Sequence, residues 1–334
     1  MQSGYCPLSA EPNKLCDIIS AGIVDEYLKR DPQSRVRLSV SGGHGALFVS
    51  GELHSEADYD VAGYVRRILG KYGITDGLEP FISLEKIPSE RVMHARQACI
   101  DPVFAFGYAS AETVSQIPKA QDLANQIASA LEDKRKQDPE WFWMSQIGTV
   151  FVSCPQNQDP SIFIRLDHGA QDLGTVRQEI TKLIESLFQE INAKVTVNSL
   201  GATEANGLQT SLGQSGLACH PYGLSLPSIS NSAGLDWHNA KIIAPIIARH
   251  IAKQILKSSG SKAVMARLLY LPGEDLPAQI WIRDESGHDL VSHSQKLELH
   301  LQKAMDGWKQ SDLMWKITLN NFAGNLNLPW ENDN

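Results

Sequence analysis

Apolar residues recur at helical spacing near the start of the chain, after a short irregular stretch. They lie at Leu15, Ile18, Ile19, Ile23, Val24 and Leu28. This i, i+3, i+4 stripe is typical of a helix with one buried face. Pro12 gives the preceding loop one rigid point, and Asp31-Pro32 ends the helix because proline lacks an N–H and disfavours helical geometry in the residue before it.

Alternating apolar residues predict strand pairs at three later places, each followed by a helical pattern. The first set is strands 36–40 and 46–53, a turn at 41–45, and a helix over 58–72 with Gly73 as its C-cap. The second is strands 149–153 and 161–166 and a helix over 174–191; the third is strands 263–270 and 278–283 and a helix over 295–308. Val36, Val150 and Val264 begin the first strands at equal intervals, which indicates three similar strand–strand–helix units in an α+β fold.

Longer connections separate these units and suggest three parts: an N-terminal unit (1–118, with exchanged segments), a central unit (119–262) and a C-terminal unit (263–334). Residues 85–102 are polar and irregular, whereas 119–136 has a helical pattern. Residues 201–234 are rich in Gly, Ser and Asn, as in a lid, a binding loop or a disordered segment. Helical spacing returns over 239–256, with a kink expected at Pro245.

Composition narrows the class of protein. Over 334 residues, 42% are hydrophobic, 20% are charged and the formal net charge is −8, as in an ordinary globular protein that does not bind nucleic acid. We find no membrane-spanning run and no signal-peptide core. Five scattered cysteines predict reduced thiols in the cytoplasm, and Cys219-His220 lacks the paired spacing of a zinc site.

Several short fragments, in order along nearly the whole chain, match the signature segments of one enzyme family. They are Ser9-Ala-Glu-Pro-Asn-Lys14, Asp31-Pro32, Ser50-Gly-Glu52, Phe106-Gly-Tyr-Ala-Ser-Ala-Glu-Thr113, Ala248-Arg-His-Ile-Ala-Lys253 and Leu328-Pro-Trp-Glu331. Together they resemble the S-adenosylmethionine synthetases (methionine adenosyltransferases). The resemblance implies that family's α+β fold, with three similar units around a pseudo-threefold axis.

The resemblance also implies a chemistry for which this chain is poorly equipped. The family joins the sulfur of methionine to the 5′ carbon of ATP and expels triphosphate, whose charge must be met by magnesium and Lys/Arg donors. Here Glu11 takes the position of a catalytic histidine, Asn13 that of a magnesium ligand and Lys241 that of a metal-binding aspartate. Further positions also differ from the family's residues. This chain has Met144-Ser-Gln-Ile147 where the family has Pro-Asp-Ala-Lys, Gln214 where it has an aspartate, and His220-Pro221 where it has Arg-Lys. Leu235 and Asn239 replace two lysines, and Ser39 replaces a glutamate of the potassium site. We therefore expect the magnesium and potassium sites to be lost, and we predict no metal ligand and no cofactor.

Two family positions on the methionine side are kept, Glu52 and Asp101. The candidate ligand-binding residues are Glu52, Asp101, Gln214, Trp237 and Asn239. The candidate catalytic residues are Glu11, Lys14, His220, His238 and Lys241. Six of them also have a structural interpretation: a strand-end carboxylate for Glu52, a turn aspartate for Asp101, a surface or capping lysine for Lys14, and core or interface residues for Trp237, His220 and His238.

Three functions stay open. The first is a non-catalytic or half-catalytic homologue that pairs with itself or with a complete synthetase and binds S-adenosylmethionine, methionine or an adenine nucleotide. The second is a diverged transferase or an enzyme that processes a sulfonium or nucleoside compound, including residual methionine adenosyltransferase activity. The third is a structural dimer whose pocket is filled by Leu235, Trp237 and their neighbours.

Overall fold

A computed structural model describes residues 2–88, 91–92, 99–156, 158–189, 191–202, 207–227 and 233–332. Within these ranges the chain forms eleven strands and seven α-helices. The strands are β1 (Gln2–Pro7), β2 (Arg35–Gly43), β3 (Ala46–His54), β4 (Glu79–Lys86), β5 (Val103–Ser110), β6 (Met144–Cys154), β7 (Ser161–His168), β8 (Lys194–Val197), β9 (Gly213–Gln214), β10 (Ala263–Tyr270) and β11 (Gln279–Asp284). The helices are α1 (Pro12–Arg30), α2 (Val61–Lys71), α3 (Lys119–Gln137), α4 (Leu173–Leu187), α5 (Ala240–Ser259), α6 (Leu301–Trp308) and α7 (Leu313–Asn320).

The strands form three sheets, with the orders β4-β3-β2-β9, β1-β6-β7-β8 and β11-β10-β5. Each sheet is built on one antiparallel hairpin: β2 with β3, β6 with β7, and β10 with β11. These hairpins are the three predicted strand pairs, so the α+β class is confirmed. The threefold relation between the units and their boundaries stay predictions.

Two strands near the N-terminus lie in sheets that are centred on later parts of the chain. β1 pairs with β6, and β5 pairs with β10, both antiparallel. Gln121 on α3 holds β1 from the other side, since its amide donates to the Tyr5 carbonyl (3.0 Å) and accepts from the Tyr5 N–H (2.9 Å). Gly4 permits this approach, because a Cβ there would lie 2.0 Å from the Ala120 carbonyl oxygen.

Helix α1 is buried on nearly all sides, which corrects the expectation of a single buried face. Besides the apolar stripe, Asp17, Ser20 and Asp25 are buried. Asp17 accepts a hydrogen bond from the Gly216 N–H, and Asp25 accepts from Met314 N (3.2 Å) and Trp315 N (2.7 Å). The polar side of the helix is therefore covered by the 213–219 segment and by α7, and its charges serve as acceptors for their backbone.

Other boundaries differ at helix ends, where periodicity is weakest as a guide. The helix expected over 295–308 is a 3₁₀ turn at Val291–Ser294 followed by α6 from Leu301, and the helix expected to reach residue 191 ends at Leu187. The helices over 119–136 and 239–256 are confirmed as α3 and α5, and α5 runs through Pro245. Gly73 follows α2 with a φ of 78°, as a helix-ending glycine does.

Two apolar clusters form the core. The larger one is made by α1, α5 and the faces of the sheets that contain β2, β3, β5 and β10, together with α6 and α7. The smaller one lies between the β6–β7 hairpin and helices α3 and α4. No helix in the described ranges is both long enough and apolar enough to cross a lipid bilayer.

A buried ion network joins three of the fragments that carry the family resemblance. Arg249 on α5, with no exposed side-chain surface, donates to both carboxylate oxygens of Glu331 at 2.8 and 3.0 Å. The same guanidinium donates to the carbonyls of Tyr108, Ser115 and Gln116. Lys253, one turn along α5, donates to the carboxylate (3.2 Å) and carbonyl (2.6 Å) of Glu331. The C-terminal segment is thereby fastened to α5 and to the loop after β5.

Glu331→Gln tests this network. The change leaves the Arg249 guanidinium buried opposite a neutral group, so we expect the free energy of unfolding to fall by about 3–5 kcal/mol, measured by chemical denaturation. The control is Glu179→Gln, which removes an exposed ion pair with Lys182 (2.9 Å) and which we expect to cost less than about 1 kcal/mol. Equal losses in the two variants contradict a special role for the buried network.

Candidate ligand-binding site

A cavity of about 80 Å³ opens where the β2–β3 hairpin, the first turn of α5 and the residues before β5 meet. Its lining is dominated by charge, and we call it the charged cavity. The polar residues that line it are Arg35, Arg37, Glu52, Arg91, Asp101, Asp236, His238, Asn239 and Lys241.

The β2–β3 hairpin and the segment before α5 place these groups. Arg37 lies opposite Glu52 in the antiparallel register. Next to β2, the Asp236 N–H donates to the Val36 carbonyl (3.0 Å), and the Asp236 carboxylate accepts from the N–H groups of Val36 (2.8 Å) and His238 (2.9 Å). Asn239 then caps α5 by accepting from the Lys241 N–H (3.0 Å), which fixes the helix start at the edge of the cavity.

Two of the cavity carboxylates are paired with cations. Lys241 Nζ donates to Asp101 Oδ2 at 2.8 Å, and Arg37 lies 3.9 Å from the same oxygen. The Lys241 ammonium holds the pKa of Asp101 below its ordinary value, since the hydrogen bond favours the charged carboxylate. Arg91 lies 3.4 Å from Glu52.

His238 sits at the wall of the cavity beside Asp236. Its Nδ1 is 3.3 Å from Asp236 Oδ1, in a geometry that makes no hydrogen bond within the described residues. A carboxylate beside an imidazole is an arrangement that general acid–base catalysis uses.

A second group of predicted residues lies away from the cavity, at the N-terminus of α1. Glu11 caps this helix, because its carboxylate accepts from the N–H groups of Asn13 (3.0 Å) and Lys14 (3.2 Å), and burial raises the pKa of Glu11. Lys14, only 6% exposed, donates its ammonium to the carbonyls of Thr318 and Leu319 at the end of α7. The structural interpretation of Lys14 as a capping lysine thus describes its contacts.

The other predicted residues are distributed as follows. Gln214 is in β9, where its N–H donates to the Asn13 side chain (3.0 Å). The His220 ring meets the Tyr5 ring edge-on at 5.4 Å, and burial lowers its pKa. Trp237 is in the core: it stacks on Trp330 at 5.9 Å and its indole N–H donates to the Met305 carbonyl (2.9 Å). The structure therefore brings together Glu52, Asp101, His238, Asn239 and Lys241 but not Glu11, Lys14, Gln214, His220 or Trp237.

Comparison with known sequences shows which proteins this chain resembles. The profile of the S-adenosylmethionine synthetase N-terminal domain matches residues 8–95. S-adenosylmethionine synthase of Mycoplasmopsis synoviae is 24% identical over 292 residues, 81% of this chain and 76% of that protein. Those of Helicobacter pylori (24%, 81% and 77%) and Azobacteroides pseudotrichonymphae (25%, 81% and 73%) are similar. These matches support membership of the S-adenosylmethionine synthetase family, at low sequence identity.

The residues of this chain do not suit the magnesium that the family resemblance implies. The carboxylate of Glu11 already accepts two backbone N–H groups, Asn13 accepts the Gln214 N–H, and Lys241 places an ammonium where the resemblance puts a carboxylate ligand. Mg²⁺ requires oxygen ligands, mostly carboxylates and water. In the ranges that the structure covers, no three His, Cys, Asp or Glu side chains are grouped to hold a metal ion.

Sequence reasoning missed four residues of the charged cavity: Arg35, Arg37, Arg91 and Asp236. The alternation in β2 was one available signal, because Arg35 and Arg37 are two residues apart and so share a face of the strand. Arg91 lies in a stretch read as irregular, and Asp236 in a loop without a periodic pattern. Nothing in their local sequence indicates a site.

Asp17 gives a pH prediction. Burial raises the pKa of Asp17 to about 6, from a model-peptide value of 3.8. Its neutral form is thus favoured in the folded state, and the stability this provides is complete below the unfolded pKa and lost as pH rises through the folded one. In Asp17→Asn the side chain is neutral at every pH. Going from about pH 4 to about pH 7, the wild type should lose about 2 kcal/mol of unfolding free energy relative to the variant, measured by denaturation at each pH.

Asp31→Asn, at the other end of the same helix, is the control. Hydrogen bonds from the Glu56 N–H and from other donors lower the pKa of Asp31, so its contribution has the opposite sign and is lost as pH falls. An Asp17→Asn variant whose stability follows pH in parallel with the wild type contradicts the prediction.

The pairing of Asp101 with Lys241 can be tested directly. In Lys241→Gln the ammonium is gone, so the pKa of Asp101 should rise toward the ordinary 3.8, measured by an NMR titration of the carboxyl carbon. Arg66→Gln, which removes an exposed ion pair with Glu79 outside the cavity, should leave it unchanged. A wild-type Asp101 that already titrates at the ordinary value rules out the pairing.

Proposed function

We propose that this chain is a non-catalytic or half-catalytic member of the S-adenosylmethionine synthetase family that binds a methionine-like or adenosyl ligand at the charged cavity. The observation that carries the proposal is the set of contacts that the Lys14 ammonium makes. This is the one lysine that the chain retains in the family's opening segment, and its ammonium is committed to the carbonyls of Thr318 and Leu319.

The neighbours of Lys14 support the same proposal. Glu11 is a helix cap and Asn13 fastens β9, so the side chains at the histidine and magnesium positions have structural partners. A preorganised donor to developing charge typically contributes about 3 kcal/mol to lowering the barrier. Loss of several such donors, discounted for non-additivity, lowers the rate by on the order of a millionfold.

The charged cavity supports the binding half of the proposal. It gathers the two kept positions of the family, Glu52 and Asp101, with His238, Asn239 and Lys241.

In the family, as the resemblance implies, the site is completed by a second subunit. We therefore propose that the chain acts as a homodimer or together with a complete synthetase. The stacked pair Phe48 and Phe81, 5.3 Å apart and 52% and 51% exposed on the sheet of β2, β3 and β4, suits such an interface.

A second candidate, a diverged transferase or an enzyme that acts on a sulfonium or nucleoside compound, is favoured by His238. Its ring stands beside the Asp236 carboxylate at the cavity wall, a pair that can serve in proton transfer. Such an enzyme does not need to bind triphosphate.

The test combines turnover and binding with the purified chain. Given ATP, methionine and magnesium, it should form no S-adenosylmethionine above background, whereas calorimetry should detect heat from methionine or S-adenosylmethionine. Lys241→Gln, which removes a cation from the cavity, should weaken the binding of methionine, and Glu179→Gln, on the exposed face of α4, should leave it unchanged.

Other outcomes separate the candidates. Synthesis of S-adenosylmethionine at an ordinary enzymatic rate overturns the non-catalytic role. Conversion of an offered nucleoside that disappears in His238→Gln establishes the second candidate. Absence of heat from every ligand, with no synthetase recovered from the native cells, leaves the structural dimer.

A further inference from the structure

We propose that the charged cavity recognises an anionic group of its ligand and discriminates against a cationic sulfonium centre. This inference rests on the proposed ligand-binding function and names the charge of the group that the cavity receives. It is carried by the arrangement of ion pairs around Asp101 and Glu52.

The carboxylates that could attract a cationic ligand already have partners within the chain. Asp101 is held by Lys241 at 2.8 Å, with Arg37 at 3.9 Å. Glu52 has Arg91 at 3.4 Å. Asp236 is occupied by the N–H groups of Val36 and His238. A sulfonium group placed in the cavity is therefore attracted only weakly by the carboxylates. It is also repelled by the cations with which the carboxylates are paired.

The charge around the two paired carboxylates is positive. Three cationic side chains, those of Arg37, Arg91 and Lys241, stand against Asp101 and Glu52. Among these described residues, this leaves an excess of one positive charge. In a partly enclosed site, where screening is weaker than in bulk water, such an excess favours an anion.

The cations also keep donor capacity for a ligand. An ammonium has three N–H donors and a guanidinium five, and the latter can bind a carboxylate or phosphate through two parallel hydrogen bonds. Lys241 uses one donor on Asp101, and its side chain is 38% exposed; that of Arg37 is 54% exposed. Both side chains can therefore contact an anion while they keep their contacts with Asp101.

The volume of the cavity suits a group of this kind. At about 80 Å³ it is much smaller than the roughly 300–1,000 Å³ of sites that enclose drug-sized molecules. A carboxylate or phosphate group fits, whereas a whole nucleoside does not. The remainder of the ligand would extend out of the cavity.

The experiment uses two ligands that differ in charge at one atom. S-adenosylhomocysteine has a neutral thioether where S-adenosylmethionine has a methylsulfonium, and the carboxylate is common to both. By calorimetry on the full chain, we expect the thioether compound to bind about tenfold tighter or more. Methionine should likewise bind tighter than methioninamide, which lacks the carboxylate.

Variants assign the preference to this cavity. Lys241→Gln removes a cation and frees Asp101, so the preference for the thioether should shrink toward unity, while Lys241→Arg should retain it. Arg66→Gln, whose ion pair with Glu79 lies outside the cavity, should match the wild type. Circular dichroism melting of each variant confirms folding.

The outcomes are distinguishable from those of the proposed function. Equal or tighter binding of S-adenosylmethionine by the wild type overturns this inference and leaves the ligand-binding function standing. A thioether preference that is unchanged in Lys241→Gln overturns the assignment to the charged cavity. Absence of binding by both nucleosides and by methionine overturns the two together.

Discussion

The need to satisfy buried polar groups on α1 constrains much of the structure. A helix at the centre of a core normally presents apolar side chains on all sides, and buried charge is costly unless it is hydrogen-bonded. Here Lys14, Asp17 and Asp25 are buried, and each bonds backbone groups of a distant segment. The 213–219 segment and α7 therefore have defined positions, because moving either one leaves a charge in the core without its partner.

Helix α5 links this centre to the candidate site. Its first turn, capped by Asn239, places Lys241 at the charged cavity, and two turns later Arg249 is fixed in the ion network with Glu331. The middle of the helix is thus immobilised by a fully buried guanidinium. The ion pair of Lys241 with Asp101 therefore joins this anchored helix to the residues just before β5, and both side chains reach solvent.

The limits of prediction from sequence follow from the range of the interactions. Periodicity is local, so it is sufficient for the three hairpins and for α3 and α5. Periodicity does not predict β1, because apolar and polar residues do not alternate in Gln2-Ser-Gly-Tyr-Cys-Pro7. This strand is stabilised by its pairing with β6 and by Gln121. Five candidate residues meet in the cavity, but they were found through the family resemblance and not through spacing. The role of Lys14 was out of reach, since its acceptor Thr318 is 304 positions away.

The contact of Lys14 with α7 has an evolutionary consequence. Reintroducing lysines at the positions of Leu235 and Asn239 would add positive charge, but the ammonium of Lys14 would still face Thr318 and Leu319. To turn it toward a phosphate, the lineage would have to leave the last carbonyls of α7 without their donor. The proposed function thus implies that a functional group has become a structural one, a step that is difficult to reverse by single substitutions.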